Sequence, residues 1–459
     1  MRIYGKKKEE ELIKQSLKYS TKDGIAATIC GSAGDNFISP FAVALKASNL
    51  QIGLLSALPN LIPTELFTSK LMEKFSRKSI VTFGVLLQVL IWPLIALLGL
   101  LVMEKPSLAP ILLIILYMLY IAVGLFMGPA WASWMKDITE NIKLGKYFGL
   151  RNKIFGIVGL ITIIIGGIIL DFFKGIGYVF LGFIILFLTA SISRAISRHY
   201  MSKQYEPKLK INKEYYFSFW QFLKKASTNN YGRFAIFIAL INFTQMIAGP
   251  FFTPYMLREL KLNYLTFTII NLVVSSLATL LVMPLWGKFL DRYGCVKTMS
   301  VTRWIIPIVP CLWLISPSVY WLAIVQIISG IGWAGFNLAA GTFTYHAVTK
   351  ERMSLCVAYS SIFNGFGIFL GATLGGLVTS LPIKFMSVYL FIFLVSGIAR
   401  AIVVITLPPL IKEVKPVKEP ESLFKLILVK PLKGLNHLLF GHVLGSLYPF
   451  SKFNHYNRR

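Results

Sequence analysis

The sequence predicts an all-α integral membrane protein of twelve transmembrane helices, arranged as two pseudo-symmetric six-helix bundles. Three observations carry this: apolar runs of membrane-crossing length, basic residues confined to alternate breaks, and landmarks that recur in the second half at a nearly constant offset. The chain is 56% hydrophobic and only 14% charged, with a mean hydropathy of +0.67. Soluble domains sit near a quarter charged, roughly, so the balance belongs to a membrane protein.

A helix needs about 20 predominantly apolar residues to cross the hydrocarbon layer, because lipid offers the backbone no hydrogen-bond partner. Runs that meet this lie near 24–45, 51–71, 79–102, 109–134, 151–172 and 177–196, then 234–256, 265–286, 299–315, 320–345, 355–379 and 386–408. The first 22 residues are polar, so no cleavable signal peptide is expected. The stretch 197–233 is the long polar interruption inside the chain and separates six spans from six. The expected organisation is a tail at 1–22, bundles at 23–196 and 234–408, a connection at 197–233, and a basic, amphipathic tail at 409–459.

Loop charge orients the bundle. The odd-numbered breaks, such as 46–50, 103–108, 173–176 and 381–384, hold few basic residues. The even-numbered ones hold Lys74, Arg77 and Lys78, then Lys136, Lys143, Lys146 and Arg151, then Lys288, Arg292 and Lys297, then Lys350 and Arg352. The positive-inside rule therefore predicts a multi-pass cell-membrane protein with both termini and the connection cytoplasmic. The net charge of +28 is spread over these loops and the tails, with no separate basic domain, so lipid rather than nucleic acid is the expected partner. Within the connection, Tyr215, Tyr216, Phe217, Phe219, Trp220 and Phe222 precede Lys224 and Lys225, the pattern of a short interfacial helix.

Other classes lack their chemistry. Cys30, Cys295, Cys311 and Cys356 are scattered, with no C-x-x-C pair and no histidine at metal-ligand spacing, so neither a metal site nor a cofactor is expected. No phosphate-cradling G-x-x-x-x-G-K-[ST] loop for ATP-driven pumping occurs. The five histidines, His199, His346, His437, His442 and His455, all lie outside the apolar runs, which argues against an intramembrane enzyme. No repeated filter-like loop supports a channel.

The two halves repeat each other. Asp35 to Phe41 (DNFISPF) echoes Gln245 to Phe251 (QMIAGPF) at an offset of 210, and Gly156…Gly166-Gly167 meets Gly365…Gly375-Gly376 at 209. The phrase GKFLDRYGCVK at 287–297 has its counterpart in SKLMEKFSRK at 69–78. With Gly287, Asp291, Arg292, Gly294 and Lys297 in place, the former resembles the G-x-L-x-D-R-x-G-x-x-[RK] signature of the major facilitator superfamily, with Phe289 for the Leu. The first copy departs from it: Ser69 and Ser76 replace glycines and Glu73 the Asp, while Leu71, Arg77 and Lys78 remain. The resemblance spans roughly 23–408 and implies a secondary transporter that rocks two six-helix halves around a central site. Its alternatives are a facilitative uniporter and a transporter-like sensor without transport.

The charged phrases are candidates for a conformational latch formed by Glu73, Arg77, Lys78, Gly287, Asp291, Arg292, Gly294 and Lys297, an acid bonding a neighbouring helix N-terminus while the cations face anionic lipid. An acid inside hydrocarbon is costly and therefore a functional candidate. Asp35 sits near the middle of the first run, and Gln245 holds the matching place in the seventh. The resemblance implies that the first, fourth, seventh and tenth helices line a central cavity, which adds Asn36, Asn242, Gln326 and Asn337 as candidates on the path of solute and protons. Glu65 in the second run is divided between a structural partner and proton traffic. Arg303 and Arg400 read as helix-end residues that snorkel, and Asp137 and His346, which match at an offset of 209, as loop organisers. The stripe Gly367, Gly371 and Gly375 reads as close helix contact. Two patterns common in the family are missing: a basic residue in the fourth helix, and a Gly-Pro pair in the fifth. The segment 422–450 carries apolar residues at helical spacing with Lys425, Lys430 and Lys433 beside them, which predicts two short helices on an anionic leaflet.

Overall fold

The structure, a computed structural model, describes residues 2–61, 68, 71–72, 74–139, 144–207, 218–349, 352–406 and 411–414. In chain order the helices of the first half are α1 (Arg2–Ala33), α2 (Asp35–Ala44), α3 (Asn49–Ala57), α4 (Arg77–Glu104), α5 (Leu108–Thr139), α6 (Leu144–Gly175) and α7 (Val179–Ser202). The connection holds α8 (Phe219–Ala226). The second half holds α9 (Asn230–Ala248), α10 (Tyr264–Thr268), α11 (Ser275–Tyr293), α12 (Cys295–Thr302), α13 (Ile305–Leu312), α14 (Val319–Ala347), α15 (Met353–Val378) and α16 (Val388–Thr406). Among the described residues, 10 segments are long and apolar enough to cross a membrane. Of the other two expected runs, the first is split between α1 and α2 at Gly34, and the second passes into 62–67, outside the described residues.

Helix starts follow local chemistry. Ser48 and Gln51 form a capping box at α3, as Ser218 and Gln221 do at α8. Asn229 accepts the N–H of Gly232 at the start of α9. Gly294 ends α11 at a φ of 82°, in the left-handed region that favours glycine.

Helix α8 takes in Phe219, Trp220 and Phe222 of the aromatic cluster, with Phe222 buried and Trp220 exposed, while 215–217 lie outside the described residues. The expected tail at 1–22 is instead a continuation of α1, because its Lys, Glu and Leu residues are good helix formers. Ser16, Ser20 and Asp23 are buried, and Ser16 Oγ accepts the N–H of Tyr205 at 2.7 Å. The second tail is tied at its start: Asn230 exchanges bonds of 2.7 and 2.8 Å with the backbone of Lys412, and Glu413 accepts the N–H of Val296 at 2.7 Å. The segment 422–450 lies outside the described residues.

The seam between the halves is built at one face. Helix α3 packs on α15, and α10 on α6. Arg258 donates to the Ala47 carbonyl at 2.5 Å and to Asn49 Oδ1 at 3.2 Å, and Tyr389 donates to the same Asn49 atom at 2.9 Å. Asp171 accepts the N–H groups of Tyr264 at 2.6 Å and Leu265 at 2.9 Å. Among the described residues, every hydrogen bond between the halves lies at this face, which carries the odd-numbered breaks.

Glycine makes close helix contact possible inside the second half. A Cβ on Gly367, Gly371 or Gly375 would overlap the carbonyl oxygens of Ala239, Phe243 and Ile247, so the α15 stripe is what lets α9 approach.

Candidate functional site

The candidate residues gather into two polar centres, one inside each half. In the first, Gly34 interrupts the helix and sets Asp35 at the start of α2. The Tyr120 hydroxyl donates to Asp35 Oδ2 at 3.4 Å, while Asp35 Oδ1 is buried with no partner. From there a polar line runs through the bundle. Gln88 donates to the Tyr120 carbonyl at 3.1 Å, and Arg194 Nε donates to Gln88 Oε1 at 2.9 Å. Arg194 Nη1 also reaches Ser197 Oγ at 3.3 Å, and Ser197 donates to Asp23 Oδ1 at 2.5 Å. The Arg194 guanidinium therefore acts on both Asp35 and Asp23, and Arg151 acts on Asp23 as well. Trp92, fully buried, packs against Tyr120 with ring centroids 4.8 Å apart and planes tilted by 60°. The basic residue missing from the fourth span is thus supplied to Asp35 by the sixth.

The second centre is a cavity of about 230 Å³ lined by Gln245, Gly249, Phe252, Asn271, Val309, Trp313, Gln326, Ser329, Trp333 and Arg400. Broken helix geometry shapes it. The chain leaves α9 through a tight turn at Gly249–Phe251, and Asn271 sits in the π-turn Ile269–Val274 that follows α10. Irregular backbone at this depth is tolerated where it lines a cavity. Gln326 donates to Asn271 Oδ1 at 2.9 Å.

Arg400 corrects a sequence-based expectation. It is 2% exposed in the interior of α16 and does not snorkel to a helix end. Its Nη1 donates at 3.2 Å to the carbonyl of Ile306, which has no helical donor because Pro310 lacks an N–H. Its Nη2 reaches the Gln245 carbonyl at 3.4 Å, and its Nε is buried without a partner. In the first half the same proline problem is solved by a neutral group: Ser191 Oγ donates at 2.8 Å to the Val89 carbonyl freed by Pro93. The second half spends a full charge where a hydroxyl suffices in the first.

The remaining candidates fall elsewhere. Asn36 lies half-buried beside Asp35. Asn242 pairs with Asn364 at 2.8 Å and is not among the residues lining the cavity. Asn337 is exposed on α14. Glu65 and Glu73 lie outside the described residues. Of the charged phrases, the first is engaged: Arg77, 1% exposed, bonds Asp137 at 2.6 Å and approaches Glu206 at 3.5 Å, while Lys78 donates to the Gln204 carbonyl at 2.9 Å. In the second, Asp291 is exposed and makes no ion pair among the described residues, while Arg292 lies over the Tyr293 ring. Gly287 has open space around it, and Lys297 is half-buried in α12.

Sequence reasoning missed Arg194, Asn271 and, as a buried charge, Arg400. The signal was present for Arg400, a single cation in the run VYLFIFLVSGIARAIVVIT.

The model of the Major Facilitator Superfamily matches residues 25–230 and 234–452 of the chain. No curated protein matches it in sequence. Among solved structures, the nucleoside transporter NupG is similar with a TM-score of 0.65 at 14% identity, covering 86% of this chain and 98% of that one. A bacterial homologue of the iron transporter ferroportin, in an inward-facing state, gives 0.62 at 14% identity over 87% and 98%. A POT family transporter in complex with a thioalcohol-conjugated peptide gives 0.60 at 12% over 87% and 95%. At these identities the likeness speaks to the fold alone.

Proposed function

The chain belongs to the Major Facilitator Superfamily, and from that premise we propose that it is a secondary active transporter moving a small solute across the membrane by alternating access. The observation that carries this reading is the one-sided seam: the hydrogen bonds between the halves, among the described residues, all lie at the odd-loop face. Hydrogen bonds that join the halves at one face, with none among the described residues at the other, fit one end state of a rocking carrier. With both termini cytoplasmic, as the distribution of Lys and Arg supports, that state opens inward, and the basic loops lie on the anionic leaflet.

Proton coupling is the finer part of the reading. Arg194 acts on both the buried Asp23 and the half-buried Asp35, and Arg151 acts on Asp23 as well, while Asp35 forms no salt bridge among the described residues, so its charge is only partly balanced inside the bundle. Binding a proton there relieves the imbalance, and the line through Ser197, Gln88 and Tyr120 joins the two acids. The charged phrases, with Arg77 already paired and Asp291 in no ion pair among the described residues, are proposed as the latch that exchanges partners between states.

The test is flux in proteoliposomes loaded in turn with sugars, amino acids, nucleosides, organic anions and hydrophobic cations, with and without a proton gradient. Uptake of one class, accelerated by the gradient, is the expected result. Binding of a solute without flux in either direction makes the protein a sensor, and flux indifferent to the gradient makes it a uniporter.

A further inference from the structure

The interior of the second half holds a cation that its own fold does not neutralise. Arg400 is buried, forms no salt bridge among the described residues, and faces a cavity with its Nε unpartnered. Burying an unpaired guanidinium costs several kcal/mol, roughly. Its bonds to the Ile306 and Gln245 carbonyls recover part of that, yet a neutral donor does the equivalent job at Ser191. The charge itself is therefore unexplained by support of a proline-broken helix.

The rest of the cavity describes what would neutralise it. Phe252 and Trp313 pack with centroids 4.7 Å apart and planes tilted by 45°, and with Trp333 they give the cavity an aromatic wall. Gln245, Ser329 and the Gln326–Asn271 pair supply neutral donors and acceptors. A guanidinium fork matches a carboxylate geometrically, and a single one balances a single negative charge. The cavity, at about 230 Å³, lies below the roughly 300 Å³ at which drug-sized sites begin. We propose that this cavity binds a small planar organic monoanion, its carboxylate on Arg400 and its flat body against the wall of Phe252, Trp313 and Trp333.

Benzoate is the minimal probe, and benzamide its neutral counterpart of the same shape. Equilibrium binding of radiolabelled benzoate to the purified full-length protein is expected to saturate at one site per chain. A tenfold excess of unlabelled benzoate displaces the label, whereas the same excess of benzamide or chloride leaves it in place. Arg400→Gln lowers the affinity at least tenfold, and Arg400→Lys, which keeps the charge without the fork, lowers it less. Absence of saturable binding, equal competition by benzamide, displacement by chloride alone, or unchanged binding in a folded Arg400→Gln protein each overturns the proposal. The benzoate–benzamide comparison is made on the wild-type chain and decides the matter even where Arg400→Gln does not fold. Binding is read without a gradient or a vesicle, so its failure leaves the transport reading standing, and a failure of flux leaves the site standing.

Discussion

The Asp171 carboxylate of one half accepts the backbone N–H of Tyr264 in the other at 2.6 Å, and takes the N–H of Leu265 at 2.9 Å as well. An acid at a helix start satisfies donors that have no partner within the helix and meets the positive end of its dipole. Here the acid and the helix belong to different halves, so a local capping rule becomes a clasp between two bodies.

Asp171→Ala removes two charge-assisted bonds, worth about 1.5–3 kcal/mol each. Spin labels at Tyr178 and Phe385, both exposed at the odd-loop face, report the separation of the halves. The variant is expected to add a population at longer distance to the single short one of the wild type. An unchanged distribution removes Asp171 from the closure.

Arg77→Gln breaks the contacts with Asp137 and Glu206 at a fully buried guanidinium. Only the Arg77 side of the pair is fully buried, the Asp137 side chain being 35% exposed, so the loss falls below the roughly 3–5 kcal/mol of a fully buried pair, and thermal unfolding in detergent should occur below the wild-type midpoint. Asp291→Asn, at an exposed acid without an ion pair among the described residues, should stay within about 0.5 kcal/mol. If Asp291 engages only in the other transport state, its variant slows flux while the unfolding midpoint holds. Equal stability of the two variants contradicts the assignment of partners.

Asp35→Asn keeps the shape of the side chain and its contact with Tyr120 but removes the charge that faces Arg194. Uptake by the variant should lose its acceleration by a proton gradient, with elution and unfolding close to the wild type. Gradient-driven uptake at the wild-type rate would show that Asp35 carries no proton.

Gly371→Val places side-chain atoms on the Phe243 carbonyl, so α9 and α15 must separate. Overpacking costs about 1–3 kcal/mol or more, read as a lower unfolding midpoint. Gly287→Ala meets nothing within 4 Å and should leave the midpoint unchanged or slightly raised. A Gly371→Val protein as stable as wild type refutes close contact through the stripe.

Much of the architecture was legible in the residues themselves. Asp35 and Gln245, repeat mates at an offset of 210, each belong to a polar centre of their own half. The stripe Gly367, Gly371 and Gly375 lies where helical spacing puts it, on the contact with α9. Asp137, a loop organiser by its position in the sequence, is bonded by Arg77. Less legible was which polar groups meet. Asn242, Gln326 and Asn337 looked alike on helices facing a common cavity, yet the first pairs with Asn364, the second lines the cavity, and the third is exposed.

By itself the sequence determined that the chain is a two-half, membrane-spanning helical bundle, because hydropathy, loop charge and repeat spacing are properties of neighbouring residues and survive any tertiary arrangement. Only the tertiary structure decided that Arg194 stands between Asp23 and Asp35, that Asp171 clasps Tyr264, and that Arg400 faces a cavity instead of a membrane surface. The physical reason is burial. A lone Arg in an apolar run is consistent with a snorkelling helix end or with a buried charge, and the distinction lies in which side chains from distant helices close around it.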